Sequence, residues 1–470
     1  MGFEWTDYTL SELVEVSSSK RIKRAEYIDK GIPFFRSKEI IERSKGNNIS
    51  TEIFISSERF KEIKARHGAP YKGDILLTSV GTLGVAYQVK DNEVFYFKDG
   101  NLTWFRHFKD TLNKNYLYWW LTSPLTQRKL YEVSIGSTQR ALTISALQKL
   151  KINLPDLSVQ REIVNHLEKI HNKIQLNNQI NQTLEAMAQA IFKSWFVDFD
   201  PVLAKRGVLD SGGSIEDAER AAMRIISSKT DKQLEEMAIS QPNDFAELQQ
   251  TASLFPSQLV DSELGEIPEG WEVGMLEEVI EFNPKRSLLK GSVVPYLDMK
   301  NVPTKGHSAD EVVLREFKSG TKFKNGDTLF ARITPCLENG KTAYVDFLES
   351  EEQIGWGSTE FIVMRSKSKY PLSLSYFIAR NDHFREAAIM SMTGSSGRQR
   401  ANANALANHT WLLYPLELIE RFGEVADRFL KVAKENNAQN QNLAELRDTL
   451  LPKLFSGELD VSQLVELKDD

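Results

Sequence analysis

The chain has 470 residues, 41% of them hydrophobic and 26% charged, a globular composition with room for two or more cores. The net charge of −6 is uneven: residues 1–155 hold 24 Lys and Arg against 17 Asp and Glu, residues 266–415 hold 18 against 19, and the remaining segments are acidic. A single cysteine, Cys336, excludes an internal disulfide, Met1 to Val16 lacks the pattern of a signal peptide, and no apolar run reaches membrane length, so the expected location is the cytoplasm.

Residues 1–155 read as one mixed α/β domain. Asp74 to Val80 and Val94 to Phe97 have strand character, and Gly81-Thr82-Leu83-Gly84 marks a turn after the first. Tyr116 to Leu130, rich in aromatics and leucines, reads as a packed helix. Residues 156–199 follow as a long helix that Ser158 or Asp156 can cap. Ile163, Ile170, Asn177, Leu184 and Ile191 recur every seven residues, interleaved with Leu167, Ile174, Asn181, Ala188 and Trp195, which is a coiled-coil seam. About 38 helical residues at ~1.5 Å each span roughly 57 Å.

Residues 200–265 read as an acidic connector with short helices such as Ile215 to Ile226. Residues 266–415 form a second α/β domain. Thr328 to Ile333 is a strand, Pro335 to Gly340 a turn and Thr342 to Val345 a strand, and Ser373 to Arg385 takes the place of the aromatic helix. A second long helix occupies 416–455, and 456–470 is a tail.

The second domain and its helix repeat the first. Gly136-Ser137-Thr138-Gln139-Arg140 answers to Gly394-Ser395-Ser396-Gly397-Arg398-Gln399-Arg400, with Gln-Arg to Gln-Arg 260 positions apart, as are Pro155 and Pro415. Lys72-Gly73-Asp74 answers to Asn325-Gly326-Asp327. In the second helix Phe422, Phe429, Asn436, Leu443 and Leu450 repeat the first heptad row at a constant offset of 259. Asn177 and Asn436 thus hold the same place. A buried asparagine in an apolar seam costs stability but fixes register, and the expectation is that the two helices pack antiparallel with these asparagines near the middle. The alternative is that each helix packs on its own domain.

Catalytic motifs fail on inspection. The seven histidines are scattered, and neither HExxH nor a Cys/His cluster occurs. Gly340-Lys341-Thr342 ends like a phosphate loop, but Pro335 stands where its first glycine is required. Pro335-Cys336 lacks the glycine-rich cofactor loop that a cytosine methyltransferase needs, and neither Asn283-Pro284 nor Asp200-Pro201 completes an adenine methyltransferase motif. What remains are the paired polar loops. Ser137, Thr138, Gln139 and Arg140, and Ser395, Ser396, Arg398, Gln399 and Arg400, are residue types that read base edges. Ser79 and Thr82 at the end of the first strand and in its turn, and Arg332 and Thr334 at the end of its counterpart, complete the candidate DNA-binding set.

At these residues the chain resembles the specificity subunits of type I restriction–modification systems. The resemblance is carried by Leu264-Gly265-Glu266-Ile267-Pro268-Glu269-Gly270-Trp271, Thr393 to Arg400, Leu154-Pro155-Asp156-Leu157 and Phe196-Val197-Asp198-Phe199-Asp200-Pro201, in that family's order over essentially the whole chain. It implies an α+β protein. Two mixed α/β target-recognition domains in pseudo-twofold arrangement are separated by two long antiparallel coiled-coil helices, and each reads half of a split, asymmetric double-stranded DNA target. It further implies a non-catalytic chain with no cofactor of its own. Two modification subunits that use S-adenosylmethionine methylate adenine N6, and up to two restriction subunits that use ATP and Mg translocate and cleave. The rival readings are a self-sufficient methyltransferase or nuclease of unusual motif, and a protein scaffold that binds no DNA.

Overall fold

Residues 75–77 and 102–105 set large apolar side chains on both faces, and in the computed structural model strands 75–78 and 102–106 form the central pair of a sheet buried from both sides. The structure describes residues 5–461 except 47, 48, 50, 137–139, 396 and 460. The chain divides into two units, Met1–Leu176 with Ala438–Asp470, and Asn177–Asn437. Among the described residues no helix is long and apolar enough to cross a membrane.

In the first unit the strands are β1 (Thr6–Thr9), β2 (Glu15–Ser17), β3 (Ile32–Phe35), β4 (Phe54–Ile55), β5 (Ile75–Thr78), β6 (Ala86–Gln88), β7 (Tyr96–Phe97), β8 (Leu102–Arg106) and β9 (Lys151–Leu154). An antiparallel sheet runs β2-β8-β5-β6, a second runs β4-β3-β7 with β3 and β7 parallel, and β1 pairs with β9. The helices are α1 (Leu10–Leu13), α2 (Ser37–Ser44), α3 (Ser57–His67), α4 (Lys114–Thr122), α5 (Pro124–Val133), α6 (Ile144–Gln148) and α7 (Leu157–Phe196), of which the part of α7 up to Leu176 lies in this unit. The expected single helix over 116–130 is two. Pro124 forces Ser123 into extended backbone, and the Ser123 hydroxyl caps α5 by accepting from Thr126 N. The core joins Ile75, Phe105, Tyr116 and Trp120 to Ile163 and Leu167 of α7 and to Leu451, Leu454 and Phe455 near the chain's end.

The second unit opens with the end of α7. Four helices follow: α8 (Asp200–Asp210), α9 (Ile215–Ser227), α10 (Asp231–Ser240) and α11 (Pro242–Ser253). The hairpin β10 (Leu259–Ser262) and β11 (Gly265–Pro268) leads into the second α/β block. Its strands are β12 (Glu272–Met275), β13 (Ile280–Phe282), β14 (Val293–Leu297), β15 (Val313–Glu316), β16 (Thr321–Phe323), β17 (Thr328–Ala331), β18 (Thr342–Tyr344), β19 (Gly355–Gly357), β20 (Phe361–Ser366) and β21 (Thr410–Leu413). The sheet β13-β20-β17-β18 repeats β2-β8-β5-β6, β14 has an antiparallel and a parallel neighbour as β3 does, and β12 pairs with β21 as β1 does with β9. The helices α12 (Leu374–Arg380), α13 (Asp382–Met390) and α14 (Ala403–Ala407) answer to α4, α5 and α6, and α15 (Leu416–Ser456) is the second long helix. The helix expected over 373–385 also breaks, at Asn381, whose side chain caps α13. The copies differ most between β3 and β5, where α2 and α3 have β16 and loops as counterparts.

Within this unit the ends of α7 and α15 run antiparallel. Phe192 and Phe196 lie 5.4 and 5.6 Å from Phe422, and fifteen residues earlier than Phe196, Asn181 lies against Asn436 and Asn437. Asn436 Nδ2 donates to Asn181 Oδ1 at 2.8 Å, and Asn181 Nδ2 donates to Asn437 Oδ1 at 2.9 Å. Asn177 is fully buried, but the partner of Asn436 is Asn181, one helical turn further along α7.

A second polar layer ties the α/β block to this helix pair. His307, 3% exposed, stands 3.5 Å from Glu185 of α7 and 3.6 Å from Asp346. Burial alone would lower its pKa, but the two carboxylates outweigh burial and raise it to about 9. The Tyr376 hydroxyl donates to Glu185, Ser308 Oγ lies 2.9 Å from His307 Nε2, and Asn437 Nδ2 donates to Ser308 Oγ at 2.7 Å. Arg380 donates to Tyr376 Oη at 3.1 Å and to the carbonyls of Thr304, Gly306, Gly340 and Thr342.

Two outcomes follow from these layers. Asn181→Leu strands Asn436 and Asn437 together, whereas Asn436→Leu strands only Asn181 Oδ1. Each stranded group is half-buried, so its cost lies toward the low end of the about 1–3 kcal/mol of an unsatisfied buried group; Asn181→Leu should be the more destabilising in urea unfolding, and stability equal to wild type in both would contradict a stabilising pair. His307 is raised in the folded state, so its contribution is complete below about 6.5 and is lost as pH rises through about 9. The melting temperature of His307→Gln should therefore fall less than that of wild type between about pH 7 and about pH 10, and parallel falls would show that the charged imidazole contributes nothing.

Candidate nucleic-acid interface

In the second copy the chain leaves β17 at Ala331 and passes through Arg332, Ile333 and Thr334 into the turn 335–340. The polar loop returns against that stretch. Thr393 and Arg400 exchange backbone hydrogen bonds of 3.1 and 2.9 Å, Thr334 N donates to Gln399 O at 3.1 Å, and Ala401 N donates to Arg332 O at 2.8 Å. Gly394 at φ 125° and Gly397 at φ 77° let the six residues between Thr393 and Arg400 turn back, a conformation that side chains with a Cβ disfavour.

The side chains divide into braces and displayed groups. Arg400 is a brace: its Nε and Nη2 donate to the Glu360 carboxylate at 2.9 and 2.7 Å, which raises the arginine's pKa further. Arg332 and Thr334 are half-buried, with Arg332 Nε and Thr334 Oγ1 unpaired. Ser395 and Arg398 are exposed, Gln399 is half-buried, and Ser396 lies outside the described residues.

The first copy builds the same crossing. Ala141 exchanges hydrogen bonds with Ile135, and Leu142 N donates to Ser79 O at 2.9 Å. Leu142 thus matches Ala401, and Ala141 matches Arg400, an offset of 259. The offset of 260 that aligns the two Gln-Arg pairs is off by one residue, so Arg140 corresponds to Gln399 and Arg400 has Ala141 as its counterpart. Five residues, not six, lie between the bridged ends, so the first loop is one residue shorter rather than two. Arg140 is another brace, donating to Tyr131 O at 3.1 Å and Ser134 Oγ at 3.2 Å with its guanidinium 3.9 Å above the Tyr131 ring. Ser79 is 2% exposed with its hydroxyl 2.7 Å from Thr103 Oγ1, so it is a core residue unable to meet DNA. Thr82 is exposed on the turn after Gly81, and Ser137, Thr138 and Gln139 lie outside the described residues.

The described candidate residues therefore lie at two strand-end crossings, one per copy, each joined by main-chain bonds. Sequence reasoning missed where the positive charge sits. Residues 18–72 hold 14 Lys and Arg against 7 Asp and Glu, which is the whole excess of seven in the first copy. Residues 283–325 hold 9 against 4, although the second copy as a whole has no excess. The visible signal was the run Lys20-Arg21-Ile22-Lys23-Arg24.

Comparison with known proteins agrees with this architecture. Residues 3–186 match the family model described as the type I restriction modification DNA specificity domain. The HindI specificity subunit of Haemophilus influenzae is 28% identical, over 97% of this chain and 100% of its own. The MjaIX specificity subunit of Methanocaldococcus jannaschii is 22% identical, over 98% of this chain and 95% of its own. The crystal structure of the type I S subunit from M. genitalium superposes with a TM-score of 0.50 at 13% identity, covering 96% of both chains, which is a likeness of fold. With duplicated blocks, two long helices and relatives that match end to end, the chain is similar over its whole length to type I restriction–modification specificity subunits, and residues 3–186 match that family's DNA specificity domain.

Proposed function

We propose that this chain is the DNA-recognition subunit of a type I restriction–modification complex and reads a bipartite, asymmetric target, one half with each α/β block. The observation that carries this reading is the repeated crossing: the same main-chain hydrogen bonds anchor a polar loop in both copies, while the loop side chains differ. Two half-sites about one helical turn apart, ~34 Å or ~10 bp, suit a pair of long helices as spacer. The chain directs adenine-N6 methylation and restriction by partners and performs neither. Two modification subunits supply S-adenosylmethionine chemistry, up to two restriction subunits supply ATP- and Mg-dependent translocation and cleavage, and the assembly works in the cytoplasm. Adenine-N6 transfer requires the base to leave the stack, and a subunit gripping DNA on both sides of that event steadies the distorted duplex.

Arg398, exposed at the tip of the second loop, is the group there best placed to reach a base edge; Arg400 holds that loop to Glu360. Mapping methylated adenines with the assembled modification complex separates the two roles. Arg398→Ala should relax reading of one half-site by about 1–3 kcal/mol for each base pair no longer recognised, leaving the other half-site intact. Arg400→Ala should weaken methylation at the same half-site without changing which bases are preferred. Relaxation of both half-sites by either change would reject the two-module assignment, and methyl transfer by the purified chain alone would reject the subunit reading altogether.

A further inference from the structure

The loop that leaves the first strand of each four-stranded sheet has opposite charge geometry in the two copies. Asp74 and Asp327 occupy the same place, at the start of β5 and β17, and both are buried. In the second copy Asp327, fully buried, is held by two guanidinium groups. Arg286, from the loop after β13, binds both its carboxylate oxygens, and Arg365 donates to Oδ1 at 2.8 Å. The Arg286 side chain is 6% exposed, so this loop spends a cation inside the fold. Each carboxylate also accepts a backbone N–H, from Lys324 at 2.7 Å in the second copy and from Tyr71 at 3.0 Å in the first, but the side-chain donor to Asp74 is neutral, Trp104 Nε1 at 2.8 Å. Arg106, the counterpart of Arg365 in strand pairing, turns to Glu15.

The loop after β2 is therefore able to show its cations. Ile22, 5% exposed, inserts among Phe34, Ile55, Phe60, Ile63 and Tyr96, and Lys20 N donates to Tyr96 Oη at 2.8 Å. With Ile22 facing inward, Lys20, Arg21, Lys23 and Arg24 are all exposed. Among the described residues none of the four takes part in a salt bridge. A backbone pinned by one buried isoleucine, with two cations on each side of it, presents four positive charges without an internal carboxylate to neutralise them. Such a surface suits the closely spaced phosphates of duplex DNA, whose neutralisation releases condensed counterions.

We propose that Lys20, Arg21, Lys23 and Arg24 form a phosphate clamp on duplex DNA in the first recognition block, with no equivalent of four charges in the corresponding loop of the second. This rests on the DNA-recognition reading and adds an asymmetry to it: the loop after β2 supplies a stronger sequence-independent grip than the loop after β13, which keeps Arg286 inside the fold. The clamp positions the block and reads no base.

The test is the salt dependence of binding to a short duplex of unrelated sequence, measured with the chain assembled with its modification subunits. For each phosphate left unneutralised, the slope of log K against log salt falls in magnitude by about 0.9. Replacing all four residues by alanine should therefore reduce the slope by about 2–4 and weaken binding most at low salt. The charge-preserving set Lys20→Arg, Arg21→Lys, Lys23→Arg and Arg24→Lys should restore the slope, which loss of folding would not allow. Lys285→Ala with Lys290→Ala in the second block should change it by less than one. An alanine variant with the wild-type slope overturns the clamp while leaving the recognition reading intact. A slope equally reduced by the second-block substitutions overturns the asymmetry. Absence of salt-dependent DNA binding by the wild-type complex is the separate outcome that would sink the recognition reading itself.

Discussion

The candidate interface depends on backbone hydrogen bonds at the end of a sheet. In each copy a polar loop is fastened across the residues that follow the central strand, by Leu142 N to Ser79 O in one and Ala401 N to Arg332 O in the other. Main-chain donors and acceptors exist whatever the side chains are. A loop anchored this way keeps its place while its side chains diverge, as Ala141 and Arg400 have done at one equivalent position. Divergent reading on a common frame needs that separation between what holds the loop and what the loop displays. The braces are then local additions, chosen differently in each copy: Arg400 grips Glu360, and Arg140 lies on Tyr131.

Behind the second block the long helices contribute more than an apolar seam. Phe192, Phe196 and Phe422 supply packing, but packing alone tolerates sliding, because one aromatic fills much the same space as the next. The asparagine ladder of residues 181, 436 and 437 and the buried His307 cluster are satisfied in one register only. The charged imidazole between Glu185 and Asp346 would be costly to bury alone, and the carboxylates would be equally costly to leave without it. Polar groups of this kind convert a sticky contact into a defined one. Through Arg380, which gathers four backbone carbonyls including that of Gly340, the same cluster reaches the turn beside the recognition loop.

Much of this architecture is legible in the sequence. The duplication, the heptad rows and their offset of 259 survive in the structure because a helix seam has a strict period and insertions break it. The helix break at Ser123 has its signal in Pro124, which the strong aromatic pattern around it masks. The loops can be located by eye but align wrongly by one residue, since Gln-Arg matches Gln-Arg by letter while the hydrogen bonds match Ala141 with Arg400. A buried serine and an exposed one look alike in sequence, so Ser79 qualifies as a candidate although strand pairing places it inside. The braced state of Arg140 and Arg400 is equally hidden, because Glu360 is forty positions from its partner.

The two buried aspartates show that a recognition block's interior and its exterior are not independent. Asp74 and Asp327 pose one problem, a carboxylate taken out of water; both accept a backbone N–H, and the copies complete the shell with an indole in one case and two guanidinium groups in the other. An arginine drawn inward to such a carboxylate is withdrawn from the surface. A core substitution that replaces Trp104 by a residue without a donor would thus create a demand for a cation that nearby surface residues are the ones to meet. The electrostatic face of each block can change in this way without any mutation on that face, and two domains descended from one fold can drift apart in their attraction to a polyanion from the inside out.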